Sequence, residues 1–345
     1  MNWASMKLKR SIFVSSLPAT TGSKNSASHG NLSVHFRRMI GAIFLTMLLF
    51  MLAPRNVLGE VTVEPSERGA IVKLDGEFFT EYWRDFNGTP ILWPIIGPTG
   101  KPVTRAYPMG KGVNEREDHP HHRSLWFGHG DVNGLSYWHR DRIEHVEFLC
   151  LESGPIGRLA TRNRWLDRDG KPICEDERHL SFGQAEGGRW IDFRIVIHAN
   201  EGPVRFEDTK EGTFAVRVAE TVKVDAKLGG RIVNSEGLVD GAAWGKKASW
   251  VDYFGPIDGE IVGIALMNHP KSFRYPTFWH VRTYGLFAAN PFGARSFTQD
   301  AAQDGSFVLP AGESITLAYR VWIHKGDEKE GRVAEVFTQY ASQEW

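Results

Sequence analysis

The sequence predicts an all-β protein, built as a large antiparallel β-sandwich with a short C-terminal helix. Two observations predict this fold: apolar and polar residues alternate in several runs, and glycine-containing turn pairs separate those runs. A period of two is typical of half-buried antiparallel strands. The chain has 345 residues, and neither an internal repeat nor a low-complexity linker divides it after residue 60. We therefore expect one sandwich domain over residues 60–345, with two large sheets packed face to face.

Three runs show the alternation most clearly, and the tail has a different period. The apolar positions of the three runs are Ile191, Phe193, Ile195 and Ile197; Phe214, Val216 and Val218; and Ile315, Leu317, Tyr319, Val321 and Ile323. Pairs such as Asp75-Gly76 and Asp258-Gly259 are typical of the tight turns that join such strands. The tail carries apolar residues on one helical face, which predicts the C-terminal helix: Val333, Val336, Phe337 and Tyr340.

Residues 1–59 have the features of an export signal with a long basic N-region. Arg37 and Arg38 precede a hydrophobic core at residues 40–53, which is shorter than the ~20 apolar residues that span a bilayer. A basic flank, a short apolar core and small residues near Gly59 are typical of a cleaved signal. We expect an exported protein, periplasmic or extracellular. The alternative is an uncleaved N-terminal anchor, which would be the only membrane contact.

The charge of the mature chain argues against two classes of partner. Without the seven basic residues of the signal, 34 basic residues face 41 acidic ones, a net charge of −7. Nucleic-acid binding needs a basic face, and so does adhesion to anionic lipid. The expected partner is therefore a small molecule or an oligosaccharide. The two cysteines, Cys150 and Cys174, are too few for a structural zinc site, and the sequence leaves open whether they are bonded.

The most informative segment is residues 118–131, DHPHHRSLWFGHGD, which holds four of the 13 histidines. Pro120 favours extended backbone at His119, which would direct His119 and His121 to one face and His122 to the other. One interpretation is a site for a divalent transition metal with His119, His121 and His129 as ligands; Asp131 or His280 could replace the third. A second interpretation has no cofactor: histidines act as acid or base while Arg123 holds a carboxylate or hydroxyls. A third is a structural loop.

Three later clusters carry further candidates. Segment 208–212, DTKEG, supplies the carboxylate of Glu211 before a strand. In segment 243–255, Trp250 and Asp252 share a strand face and suit sugar recognition, with an aromatic ring beside a hydrogen-bond acceptor. In segment 275–293, extended backbone would place three polar side chains on one face: His280, Arg282 and Tyr284.

Four strings resemble a bacterial family of unknown function labelled PmoA, or "methane oxygenase PmoA", over residues 60–345: DHPHHRSLWFGHGDVNG, DTKEG, WVDYFGP and WHVR-x-YGLFAANPFG. A looser likeness is to galactose-mutarotase-like β-sandwich proteins. That likeness implies a supersandwich whose concave sheet binds sugars, with a His followed by an Arg, a later His and acidic residues. His122-Arg123, His280, Glu211 and Asp252 would fill these roles.

The leading hypothesis is an exported carbohydrate-active protein that acts on a sugar or sugar acid, as an epimerase, lyase or hydrolase. We expect acid–base chemistry from His121, His122, Glu211 and His280. The expected ligand-binding residues are His119, Arg123, Trp126, His129, Asp131, Trp250, Asp252, Arg282 and Tyr284, with the sugar stacked on Trp126 or Trp250. The alternatives are a histidine-ligated metalloenzyme, an oxidase or hydrolase, and a non-catalytic sugar-binding protein of the cell envelope.

Overall fold

Two eight-stranded antiparallel sheets build the protein in the computed structural model, which describes residues 59–344. The predicted export signal, and the anchor that is its alternative, lie outside the described residues. In sheet one the strands follow the spatial order β1 (Val61–Pro65), β2 (Gly69–Leu74), β3 (Glu77–Trp83), β4 (Ile91–Ile95), β5 (Leu125–His129), β11 (Gly212–Arg217), β16 (Leu286–Asn290) and β15 (Phe278–Val281).

Sheet two contains the longest strands. Its spatial order is β12 (Arg231–Asn234), β13 (Trp250–Ile257), β14 (Glu260–Asn268), β18 (Ser314–Lys325), β9 (Gly188–His198), β8 (Pro172–Ala185), β7 (Gly157–Leu166) and β6 (Ile143–Glu152). A small ribbon pairs β10 (Val204–Phe206) with β17 (Phe307–Leu309). The helices are α1 (Ala294–Thr298) and α2 (Val333–Ala341), and 3-10 turns cover Val224–Ala226 and Asp240–Ala243.

The main core lies between the two sheets, as the alternation predicted. All three predicted apolar runs place their apolar residues there, on β9, β11 and β18 and the residue that follows β11. Because successive side chains of a strand point to opposite faces, the polar partners of these runs lie on the outer faces, turned away from the other sheet. The sandwich prediction is therefore confirmed, and each sheet has an outer face on which a site can be built.

The predicted C-terminal helix is also confirmed, and it covers part of the outer face of sheet two. Val333 and Tyr340 of α2 are buried against Ala265, Met267 and Trp322 of that sheet. The partly buried Val336 and Phe337 extend the contact. This end of the outer face is therefore closed by the helix.

The structure also shows the state of the two cysteines and the character of the helices. Cys150 and Cys174 are both free thiols, and Cys174 is buried in the core. Within residues 59–344, no helix has the length and apolar character required to cross a bilayer.

Candidate functional site

A row of side chains crosses the outer face of sheet one and forms the floor of the candidate site. Strand pairing sets Trp126 opposite Ala215, Ala215 opposite Ala288, and Ala288 opposite His280. The two alanines leave room above the centre of the sheet, between the indole at one end and the imidazole at the other. Chain segments that leave the sheet then fold over this row, and their polar side chains form the rest of the site.

Arg105 holds the first of these segments in a turn. Its guanidinium donates to the carbonyls of Arg116 and His119 at 3.2 Å each and to Asp118 Oδ1 at 2.6 Å. The His122 N–H donates to the His119 carbonyl at 2.9 Å, and His119 has a φ of 46°. The expectation of extended backbone at His119 is therefore wrong, because these bonds override the local preference imposed by Pro120.

The turn gathers the histidine rings instead of separating them. His119 stacks on His122 with ring centroids 4.7 Å apart, and on Tyr284 at 5.1 Å. His121 meets His122 edge-on at 4.5 Å and lies 4.5 Å from His139. We call the set His119, His121, His122 and His139 the histidine cluster.

Burial lowers the pKa values of three rings of this cluster, those of His121, His122 and His139. Burial lowers the pKa of His121 to about 4, and the positive charge of Arg123 adds to the effect. Burial also lowers the pKa of His122 well below its usual value. Arg217 Nη1 lies 3.3 Å from His122 Nδ1. Because a guanidinium can only donate, His122 accepts at Nδ1 and carries its proton on Nε2. This buried ring therefore orients its neighbours and lies too deep for a ligand.

A close backbone approach at Gly128 places the other wall of the site. A Cβ at this position would lie 2.5 Å from the Tyr137 carbonyl oxygen, so the segment that follows β5 can cross directly over the strand. The Trp138 N–H donates to the His129 carbonyl at 3.1 Å, which fixes Trp138 over Trp126 with ring centroids 5.0 Å apart. His139 then emerges beside His121 at the surface.

Glu211 reaches the same place from the segment that precedes β11. Asn290 Nδ2 donates to the Thr209 carbonyl at 2.8 Å, and Asp208 accepts from three backbone N–H groups around α1. These bonds hold the DTKEG segment. Burial lowers the pKa of His139, and the Glu211 carboxylate opposes that shift by its charge. The same carboxylate contributes to the raised pKa of Tyr284, which is due first to burial.

The segment around His280 is a hairpin and not one strand, because the Gly285 N–H closes a turn onto the Arg282 carbonyl at 2.9 Å. His280 is on the outer face of β15, 2% exposed, with no partner for Nδ1 among the described residues. Burial lowers its pKa to about 3. Arg282 and Tyr284 lie in the turn, where the guanidinium stands 5.5 Å from the Tyr284 ring and 5.8 Å from the Trp244 ring.

Buried donors without partners surround the histidine cluster. Arg123 is 4% exposed, and neither its Nε nor its Nη1 has a hydrogen-bond partner among residues 59–344. The Nε1 atoms of Trp126 and Trp138 are likewise buried and unpartnered. Buried polar groups are normally hydrogen-bonded, so these four donor atoms are exceptions.

Two of the predicted site residues lie on the other sheet. Trp250 and Asp252 do share a strand face, as predicted, but β13 belongs to sheet two. Asp252 is buried with its Oδ1 3.1 Å from His324 Nε2, and Trp250 packs in the cluster under α2. The expectation that they meet the histidines is wrong. Trp126 is also too buried to stack on a sugar, since it is packed against His122 and Trp138.

His129 and Asp131 also lie outside the site. Because β5 alternates, His129 points into the core beside Phe206 and Phe292, and its Nε2 bonds the Glu207 carbonyl at 2.8 Å. Asp131 accepts the Gly134 N–H in a turn. The metal set of His119, His121 and His129 is therefore divided between two faces of a sheet, and the described residues contain no other group of three ligands placed to hold a metal.

A cavity of about 580 Å³ lies on the outer face of sheet two, and no predicted site residue lines it. Its central charges are already paired, because Arg320 donates to both Asp192 oxygens, at 2.6 and 2.7 Å. Burial raises the pKa of Asp192 despite that partner. The histidine cluster combines neutral imidazoles, a carboxylate and unpartnered donors, so we assign the candidate site to sheet one.

The sequence places the protein in a family. The model of the family of unknown function DUF6807 matches residues 70–338. The chain belongs to this family. A search of curated proteins finds no match, and the comparisons do not show the PmoA label that the motifs predicted.

Solved structures of low similarity share part of the fold. The galactosidase domain of an alpha-galactosidase-sucrose kinase is 8% identical, with 76% of this chain and 40% of that one covered and a TM-score of 0.39. A galactose mutarotase-like protein from Clostridium acetobutylicum is 11% identical, with 77% and 98% covered and a TM-score of 0.33. A glycoside hydrolase family 97 enzyme from Pseudoalteromonas sp. strain K8 is 9% identical, with 77% and 34% covered and a TM-score of 0.30. The chain thus spans well under half of both glycosidases, and such scores identify neither a ligand nor a reaction.

Several site residues were not predicted from the sequence. Arg105 and Arg217 hold the histidine turn, and His139, Trp138 and Trp244 complete the walls. Arg217 gave a signal: it occupies an outer-face position in a run whose inward residues are all apolar. Arg105 and His139 gave none, because each comes close to the cluster only through the fold.

Proposed function

We propose that this protein is an exported carbohydrate-active enzyme that acts on a sugar or sugar acid by histidine and carboxylate acid–base chemistry. One observation carries the proposal: the ring centroids of the partly buried His121 and the exposed His139 lie 4.5 Å apart, and the charge of Glu211 acts on His139. Neutral imidazoles beside a carboxylate are the groups that accept and return protons at neutral pH.

The role proposed for each histidine depends on whether its ring is accessible or buried. His121 and His139 are accessible and neutral, and each can remove a proton from a bound sugar. Glu211 stabilises the imidazolium that forms at His139, as a carboxylate next to a catalytic histidine does. The partly exposed rings of Tyr284 and Trp244 flank Arg282 and offer apolar surface to the C–H face of a sugar. His280 and His122 are buried and serve as positioning residues.

The carboxylates favour proton transfer over glycoside hydrolysis as the reaction. Hydrolysis generally needs two carboxylates, one on each side of the glycosidic bond. In the described site the charge of Glu211 acts on His139, whereas Asp118 is held by Arg105 and Arg217. Epimerisation, ring opening or elimination needs only a base on one side of a carbon and an acid on the other. We therefore place an isomerase or lyase ahead of a hydrolase.

Two other functions remain alternatives. A non-catalytic envelope protein would bind the same ligand and release it unchanged. A histidine-ligated metalloenzyme, an oxidase or hydrolase, is the second alternative, but its predicted ligands His119, His121 and His129 lie on two faces of sheet one. The PmoA label is a prediction from the motifs alone.

The activity test is incubation of the purified protein with a panel of neutral sugars and sugar acids, followed by proton NMR in D2O. Exchange of a C–H proton, or formation of an unsaturated or epimerised product, is the expected result. His121→Gln and Glu211→Gln should each slow turnover by about 10²–10⁴-fold, while His198→Gln, at the end of β9 in the other sheet, should leave it unchanged. Binding without conversion would favour the non-catalytic alternative, and conversion that survives both substitutions would refute the assigned roles.

Export has its own test. We expect the full chain, expressed in a Gram-negative host, to be found in the periplasm with a new N-terminus near residue 60. Full-length chain in the cytoplasm would contradict the proposal, and full-length chain in the membrane fraction would favour the anchor.

A further inference from the structure

Three guanidinium groups are buried next to the candidate site, and they exceed the carboxylates that contact them. Arg105, Arg123 and Arg217 are 0%, 4% and 1% exposed. Arg105 and Arg217 share a single oxygen, Asp118 Oδ1, at 2.6 and 3.1 Å. Buried charges are normally paired one to one, so this arrangement leaves positive charge uncompensated.

The other nearby acids have partners of their own. Glu220, whose charge acts on Arg217, is paired with Lys223, and two more acids accept from backbone. Glu115 accepts the N–H groups of Ala106 and Tyr107. Asp85 accepts the Gly88 N–H and attracts Arg123 only from beyond hydrogen-bonding distance. Neither acid supplies the missing contact to a guanidinium.

Arg123 is the guanidinium that most clearly lacks a partner. Its one hydrogen bond is a long one, 3.5 Å from Nη2 to the Asn87 carbonyl, and Nε and Nη1 have none among residues 59–344. Arg123 directly follows His122, whose ring centroid lies 4.5 Å from that of His121, and after burial its charge is a further cause of the lowered pKa of His121 and His139. A guanidinium has no acceptor and binds carboxylates through paired donors.

We propose that the ligand of this site is a sugar acid, a uronate-type sugar whose carboxylate binds beside Arg123 and compensates the buried guanidinium charge. This inference rests on the proposed function, because it names the substrate class of the same site. The hydroxyls and ring of the sugar would then face His121, His139 and Glu211. The hydroxyls of a neutral sugar can accept hydrogen bonds but would leave the excess positive charge as it is.

Binding of an anion also changes the proton count of the site. Burial is the first cause that keeps His121 neutral, and the charges of Arg123 and Arg105 add to it. When a carboxylate compensates them, protonation of His121 becomes easier, so a sugar acid should carry protons into the complex. A neutral sugar brings no charge and should bind without proton uptake.

The test is isothermal titration calorimetry of the full mature chain with two matched pairs: galacturonate against galactose, and glucuronate against glucose. We expect the acid of at least one pair to bind about tenfold to a hundredfold more tightly than its neutral partner, the range of a charge-assisted hydrogen bond. Repeating the titration at pH 6 in buffers of different ionisation enthalpy should show proton uptake with the acid alone. Acetate, a carboxylate without a sugar, should bind at least tenfold more weakly than the acid.

Variants assign the effect to Arg123. Arg123→Gln should abolish the preference for the acid while leaving the affinity for the neutral sugar within about twofold, and Arg123→Lys should restore part of it. Arg162→Gln, a half-exposed arginine on β7 of sheet two, is the control. Circular dichroism and a thermal melt establish that each variant is folded. The comparison of acid and neutral sugar on the wild-type protein does not depend on the variants.

The outcomes separate the two proposals. Equal affinity for acid and neutral sugar in both pairs would overturn the sugar-acid inference and leave the carbohydrate function standing. Absence of binding to all four sugars would overturn the proposed function, and the inference with it. A preference for the acid that survives Arg123→Gln would overturn the role given to Arg123.

Discussion

Asp118→Asn is the substitution that tests the electrostatic structure of the site most sharply. One oxygen of this carboxylate lies 2.6 Å from Arg105, 3.1 Å from Arg217 and 3.2 Å from His119. Asparagine has nearly the same shape but no charge, so the two buried guanidiniums would repel each other without a counter-ion. Removal of one partner of a buried ion pair costs ~3–5 kcal/mol.

That cost is reduced here because Asp118 keeps 22% of its side chain exposed, and water screens part of the repulsion. We expect a loss of ~2–3 kcal/mol in the free energy of unfolding, which lowers the Tm by ~3–5 °C for a domain of this size. Urea denaturation at pH 7 measures the first quantity and scanning calorimetry the second. Asp169→Asn, in an exposed turn, should change stability by less than ~0.5 kcal/mol.

The pH dependence of stability is a second test of the same substitution. Burial raises the pKa of Asp118, but Arg217 and Arg105 lower it below the ordinary carboxyl value. A depressed carboxyl pKa stabilises the fold above the unfolded pKa and loses that effect as pH falls through the folded one. The advantage of wild type over Asp118→Asn should therefore shrink below pH ~4. A loss at pH 7 under ~0.5 kcal/mol, or one that does not depend on pH, would refute the account of the guanidinium pair.

Three further predictions concern other parts of the structure. Gly128→Ala should cost ~1–3 kcal/mol in urea denaturation, because its Cβ would lie 2.5 Å from the Tyr137 carbonyl; unaltered stability would contradict that close approach. Burial lowers the pKa of His280 to about 3, so stability should fall as pH decreases below 6.5, and His280→Gln should flatten this slope by up to ~1.4 kcal/mol per pH unit; identical slopes would argue against a buried neutral ring. Asp252→Asn should cost ~3–5 kcal/mol near pH 6 by leaving buried His324 without its carboxylate. Burial lowers the pKa of His324 but Asp252 raises it above its usual value, so the wild-type advantage should diminish as pH rises through that folded pKa, and a constant advantage would count against the pair.

The strands were predictable because their signal is local. In β9 and β18 every second residue enters the core, whatever strand lies beside it, and the same holds for the helical face of α2. The hydrophobic effect acts on each of these patterns directly. The prediction that Trp250 and Asp252 share a face was correct for the same reason.

The site was harder to predict because its contacts join distant segments. The sequence does not say which sheet a strand enters. The strand face of Asp252 was therefore predicted correctly, whereas its place in the site was not. The turn at His119 depends on a donor 14 positions earlier, Arg105, which overrides the local effect of Pro120. The hairpin at Gly285 was missed because polar alternation continues through its turn.

Histidine NMR gives the most direct test of where the ligand binds. Protein labelled with ¹³C at the imidazole carbons would be titrated with galacturonate, with signals assigned from single His→Gln variants. We predict that the signals of His121 and His139 move with the added ligand, while those of His179 and His198, on sheet two, stay in place. Movement confined to the histidines of sheet two would contradict the assignment of the site to sheet one.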